Sequence, residues 1–193
     1  MTRLYITQGQ QLALFPHAKP PAVDHGDRGM ALEKALKDIH EDYARLGLAQ
    51  VDKFDAATKI VGDGKWARVV GRGKVDFIGI LDGGRFVAFD AKDCAERRIP
   101  LDRLEGGQLE YLSMVQSLGG LAFILVRFEY QRAYRVPADI WADAEIYHAF
   151  GTIHERVDGW KPTNKASLGE RDMRSAWAVK GLDWLEGVRD IES

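Results

Sequence analysis

Asp76, Asp90 and Lys92 combine residue type and spacing in a way that could support chemistry. They lie in two apolar runs of strand length, Lys74-Val75-Asp76-Phe77-Ile78-Gly79-Ile80-Leu81 and Arg85-Phe86-Val87-Ala88-Phe89-Asp90-Ala91-Lys92, joined by Asp82-Gly83-Gly84. Two such runs around a glycine turn predict a β-hairpin. The side-chain period of two puts Asp90 and Lys92 on one face and Phe89 and Ala91 on the other. With a three-residue loop, Leu81 pairs with Arg85 and Asp76 faces Asp90. Facing residues on paired strands have Cβ atoms roughly 5 Å apart. Two carboxylates that close repel unless a cation lies between them. Hard divalent cations, Mg²⁺ above all, are held by one or two carboxylates plus water and substrate phosphate, and Mn²⁺ would suit the same ligands. This outlines a site for phosphodiester cleavage. A two-residue loop or a bulge would instead turn Asp76 to the opposite face, leaving a half-exposed hairpin with solvated charges.

The elements that must position these residues follow from the rest of the chain. At 193 residues and 46% hydrophobic, it can bury one full core. No run approaches the roughly 20 apolar residues that span a bilayer, and the N-terminus lacks the build of a signal peptide. A single cysteine, Cys94, excludes an internal disulfide and fits a reducing cytosol. The histidines and Cys94 show no zinc-ligand spacing, and Gly62-Asp63-Gly64-Lys65 is not a phosphate loop. Neither zinc nor a bound nucleotide cofactor is therefore expected.

The net charge of −2 argues against a protein that coats nucleic acid. Locally, however, Lys59, Lys65, Arg68, Arg72 and Lys74 stand against Asp63 alone, with Trp66 among them, and Arg97, Arg98 and Arg103 follow Lys92. Such a cluster is either a solvated loop or a grip on phosphates with strong salt dependence.

Residues 1–27, with Pro16, Pro20 and Pro21, predict a mobile arm. Leu32, Leu36, Ile39, Tyr43 and Leu46 form one apolar stripe of a helix over 30–46. Glu33 stands on its shoulder, either solvated or leaning over a sheet edge toward a metal. Leu48 to Phe54 predicts a strand, and the basic, glycine-punctuated residues 56–73 an excursion from the core. A helix over roughly 102–118 carries Leu104, Tyr111, Leu112 and Val115, with Gln108 inside the stripe. A buried amide needs partners, either backbone at the helix end or a polar cluster on the sheet below. Leu121 to Val126 reads as a strand covered on both faces, and residues 130–136 as an edge strand. Pro137 opens a helix to about Phe150. Trp177, Leu182, Trp184 and Leu185 should dock on the core or on a partner chain. The expected architecture is α/β, a mixed β-sheet flanked by helices on both faces.

With acidic, acid-x-Lys and helix Gln elements in this order, the chain resembles the PD-(D/E)XK nuclease superfamily and, within it, the RecU-type Holliday-junction resolvases. The resemblance rests on Gly29-Met30 with Leu32-Glu33, Val75-Asp76-Phe77 with Gly79, and Phe89-Asp90-Ala91-Lys92. It continues through Pro100-Leu101 before Gln108 and Gly119-Gly120 before Ala122-Phe123. It covers roughly residues 28–150, followed by an extension over 151–193. It implies that Asp76 and Asp90 ligate Mg²⁺, that Glu33 adds a further acid, that Lys92 orients water or steadies charge, and that Gln108 supports the site. It implies a projecting stalk at 56–73, phosphate contacts from Lys65, Arg68, Arg72, Lys74, Arg97 and Arg98, a four-way DNA junction as substrate, a homodimer, and action in the cytoplasm of a bacterium or of a phage host. Asp90 stands where the family more often has glutamate. The rival readings are a superfamily nuclease acting on duplex, flap or ends, a non-catalytic DNA-binding recombination accessory, and an α/β domain with an incidental acid cluster.

Overall fold

The computed structural model describes residues 28–54, 58–61, 66–69, 74–129, 131–152, 156, 158–186 and 188. The expected arm over 1–27 lies outside them. Helix α1 spans Arg28–Arg45, strand β1 Ala49–Lys53, β2 Thr58–Val61, β3 Trp66–Val69, β4 Phe77–Leu81, β5 Phe86–Cys94 and β6 Arg98–Pro100. Helix α2 follows at Gly106–Ser117, β7 at Leu121–Phe128, β8 at Arg132–Pro137, α3 at Ala138–Phe150, β9 at Ser167–Gly169 and β10 at Ala178–Val179. One six-stranded sheet has the order β1-β4-β5-β7-β8-β10, with β5 and β7 parallel and the other neighbours antiparallel.

The hairpin turn determines the register of the site. Gly83 and Gly84 hold φ of 92° and 88°, values that cost a side chain but not glycine. Gly84 N–H donates to Leu81 O, and Leu81 N–H to Arg85 O, both at 2.9 Å. Phe77 is therefore opposite Phe89, and Gly79 opposite Val87. Gly79 also faces Val51 across β1, so closely that a Cβ would collide with Gln50 O and the Val51 backbone.

Two cores lie on the two faces of the sheet. Below α1, Phe77, Phe89 and Phe123 stack across three strands at centroid separations of 4.9 and 4.7 Å, and Leu32, Leu36, Tyr43 and Trp184 close over them. Each buried ring contributes roughly 1.5–3 kcal/mol by leaving water. On the other face, Ala88, Ile124 and Val126 pack against Leu109, Leu112 and Val115 of α2 and Ile140, Trp141 and Ala144 of α3.

Two expectations change. Residues 132–137 are not an edge strand, because β10 pairs Ala178 with Tyr134 and Val179 with Ala133. The second helix begins later, at Gly106, after a 3-10 turn over Leu101–Arg103. The excursion contains a two-stranded ribbon, β2 with β3, outside the six-stranded sheet. Trp184, Leu185 and Val188 dock on their own core, where Arg135 Nη1 donates to Trp184 O at 2.6 Å.

Candidate active site

The long strand β5 carries the period-two pattern through the middle of the molecule. Val87 and Phe89 enter the α1 core, while Ala88 enters the α2 core, so Asp90 and Lys92 follow Ala88 toward α2. Asp90 is fully buried. A buried carboxylate is costly unless its oxygens are matched. Gln108 Nε2 donates to Asp90 Oδ1 at 2.6 Å. Lys92 Nζ lies 2.5 Å from Asp90 Oδ2 as an ion pair, in a place closed to solvent.

Asp76 sits in the bend just before β4, one residue beyond the last ladder pair, Phe77 with Phe89. Its Oδ2 accepts Ala91 N–H at 2.9 Å, and its carbonyl accepts Phe54 N–H at 2.7 Å, which ties the bend to the end of β1. The two carboxylates interact directly. Burial foremost, and then the charge of Asp76, push Asp90 up to about 7 against the opposing pull of Lys92, and a proton on Asp90 can be shared with Asp76. Two neighbouring carboxylates, one of them buried, form a hard-oxygen set that suits a divalent cation. No group of three or more His, Cys, Asp or Glu side chains able to hold a metal occurs among the described residues. Two carboxylates would thus leave coordination positions for water and phosphate, the usual condition of Mg²⁺.

Gln108 resolves the alternatives for a buried amide by satisfying both. It is the third residue of α2, and its Oε1 accepts Glu105 N–H at 3.0 Å while its other end serves Asp90. The spacing Glu105-Gly106-Gly107-Gln108 carries a readable signal for this arrangement, an N-cap followed at N3 by glutamine. The Ala91 N–H bond to Asp76 has no such signal.

Glu33 is on α1, and its carboxylate bonds Lys53, at the end of β1, at 2.7 Å. Lys74 is exposed, with its ammonium 5.9 Å from the Tyr111 ring centroid. Lys65 and Arg72 lie outside the described residues, and only the backbone of Arg68 is placed, on β3 opposite Lys59. Arg97 pairs with Glu129 at 2.9 Å. Arg98 is engaged within the fold: it donates to Ser167 Oγ and Ser167 O at 2.9 and 3.0 Å and lies 3.9 Å from Asp172. A basic residue on β6 holds β9 here, because the two strands are paired.

A family model described as Recombination protein U matches residues 27–148. The Holliday junction resolvase RecU of Streptococcus gordonii is 28% identical over 133 residues, which make up 62% of this chain and 65% of that protein. The protein of the same name from Geobacillus kaustophilus is 28% identical over 121 residues, 58% of this chain and 60% of the relative. That of Bacillus mycoides is 29% identical over 125 residues, 58% and 62%. The chain thus spans less than two thirds of the length of these relatives. Among solved structures, the Holliday junction resolvase Hjc of Archaeoglobus fulgidus overlaps 73% of this chain and 90% of its own, at a TM-score of 0.39 and 13% identity.

Proposed function

The chain belongs to the Recombination protein U family, and we propose that it is a structure-specific endonuclease that resolves four-way DNA junctions by metal-dependent hydrolysis of a phosphodiester in each of two strands. The observation that carries this reading is the meeting of Asp76, Lys92 and Gln108 around the buried Asp90, one of whose oxygens is held by Gln108 while the other faces Lys92.

Asp76 and Asp90 would hold Mg²⁺, or Mn²⁺ in its place. Such a cation polarises phosphate and lowers the pKa of a bound water. Gln108 keeps one Asp90 oxygen engaged, so that the other points at the ligand. Lys92, on the same strand face as Asp90, orients water and offsets the charge that develops on the phosphate. Lys74, with Lys65, Arg68 and Arg72 along the excursion, grips backbone phosphates, which determines placement but not sequence. One site cuts one strand, and two symmetric nicks call for a two-fold dimer. The place of action would be the bacterial cytoplasm, where the DNA is.

The test is a labelled four-way junction and its linear arms, each incubated with Mg²⁺ and with a chelator. Paired nicks in the junction alone, abolished by chelation and by Lys92→Ala, are expected. Equal cutting of the arms would point to a general nuclease of the superfamily, and binding without metal-dependent cutting to a recombination accessory.

A further inference from the structure

The amide of Gln108 has a donor end and an acceptor end, and its function at Asp90 depends on which end faces the carboxylate. Glu105 N–H can only donate, so the Gln108 atom 3.0 Å from it must be Oε1, and the atom 2.6 Å from Asp90 Oδ1 must be Nε2. Gln108 N–H donates in turn to Glu105 O at 2.8 Å. The first turn of α2 therefore sets the orientation of a side chain whose far end reaches the sheet. Were the amide turned over, its oxygen would face the carboxylate, and two acceptors would repel.

We infer that the backbone N–H of Glu105 is a positioning group for the active site: it locks the Gln108 amide with its donor end on Asp90, which in turn aims the other Asp90 oxygen at the cation. The inference rests on the nuclease reading for the cation, but the lock itself is a property of the metal-free chain.

Backbone geometry permits a clean test. Glu105 has φ −71° and ψ 142°, and Leu104 before it has φ −99° and ψ 121°, values that suit a proline and the residue preceding one. Glu105→Pro removes the N–H with little backbone strain, whereas Glu105→Ala removes the side chain and keeps the N–H. In the metal-free protein, the side-chain NH₂ resonances of Gln108, assigned by their loss in Gln108→Met, should keep their position in Glu105→Ala and shift in Glu105→Pro. Calorimetric Mg²⁺ affinity should fall about tenfold in Glu105→Pro relative to Glu105→Ala, within the range seen when a hydrogen-bond partner of a ligating carboxylate is lost. Identical resonances and identical affinity in the two variants would overturn the inference. Hydrogen exchange provides a measurement that needs no proline. The Glu105 amide should be protected in the wild-type chain and lose at least about tenfold of that protection in Gln108→Met. An unprotected Glu105 amide in the wild type would also overturn it. If wild-type protein binds no Mg²⁺, the nuclease reading fails, while the resonance and exchange results still decide the lock.

Discussion

Asp90 and Asp172 are both buried aspartates, yet their surroundings leave them in opposite chemical conditions. Asp172 Oδ1 accepts Thr163 N–H at 2.7 Å, its Oδ2 accepts Gly169 N–H at 2.6 Å, and the Arg98 guanidinium lies 3.9 Å away. Its carbonyl accepts Trp160 Nε1–H at 2.9 Å, so the residue gathers the chain between Trp160 and Gly169 around itself. Asp90 has one oxygen served by Gln108 and one paired with Lys92, with Asp76 adding repulsion. The comparison teaches that burial does not by itself mark a site. A carboxylate whose two oxygens are matched by backbone N–H groups is structural, whereas one that shares its place with a second acid and a lysine has the groups that the proposed chemistry would use.

Substituting the two aspartates should therefore produce opposite losses. Asp90→Ala should lower junction cleavage by more than about 100-fold, beyond the cost of losing an outer partner of a metal ligand, with urea unfolding showing a stability equal to or above wild type. Comparable cleavage by the variant would break the comparison from the functional side.

Asp172→Ala strands two N–H groups, each costing roughly 1–3 kcal/mol when left unsatisfied. Urea unfolding should show a loss on the order of 2–5 kcal/mol, while cleavage per folded molecule stays near wild type. A variant as stable as wild type would break the comparison from the structural side.

The two faces of the sheet should also oppose each other in pH. Asp90 is raised to about 7 from 3.8, so its contribution to stability is present below about pH 4 and is lost as pH rises toward 7. His40, buried in the α1 core, accepts Trp184 Nε1–H at 3.1 Å and is held at about 4, chiefly by burial, although Asp52 pulls it upward. Its contribution is present above pH 6.5 and is lost as pH falls toward 4. In chelator, His40→Gln should remove the acid-side loss, so that stability rises by about 1–3 kcal/mol as pH is lowered from 6.5 to 4. An unchanged profile would show that His40 is not held neutral.

The smallest effect belongs to the exposed cation beside the site. Lys74→Ala should weaken junction binding a few-fold and reduce the slope of log affinity against log salt by about one. A salt slope equal to wild type would place Lys74 off the phosphate path.

Much of this arrangement was legible in the chain because it depends on local rules. The glycine pair in Asp82-Gly83-Gly84 marks the hairpin, and the period of two sends Asp90 and Lys92 away from Phe89; the sequence left the loop length open, and the observed pairing of Phe77 with Phe89 has the register of the three-residue loop. The apolar stripes likewise marked α1, α2 and α3, although Leu104 of the second stripe lies before α2 and Leu109, outside that stripe, is buried on it.

What local pattern could not decide was which distant group meets which. Glu33 carries a charge that suits a metal, and Lys53 pairs with its carboxylate. Arg98 has the chemistry of a phosphate contact, but β9, arriving from about seventy residues away, occupies it through Ser167. Trp184 could equally have met a partner chain, but Arg135 and His40 of its own chain receive it. The sequence by itself determined the hairpin and the face that Asp90 and Lys92 share, because turn conformation and strand period act between near neighbours. Only the tertiary structure decided the loop length and that Gln108 would bridge Glu105 and Asp90, because the bridge depends on how α2 lies across β5, a packing that no spacing along the chain records.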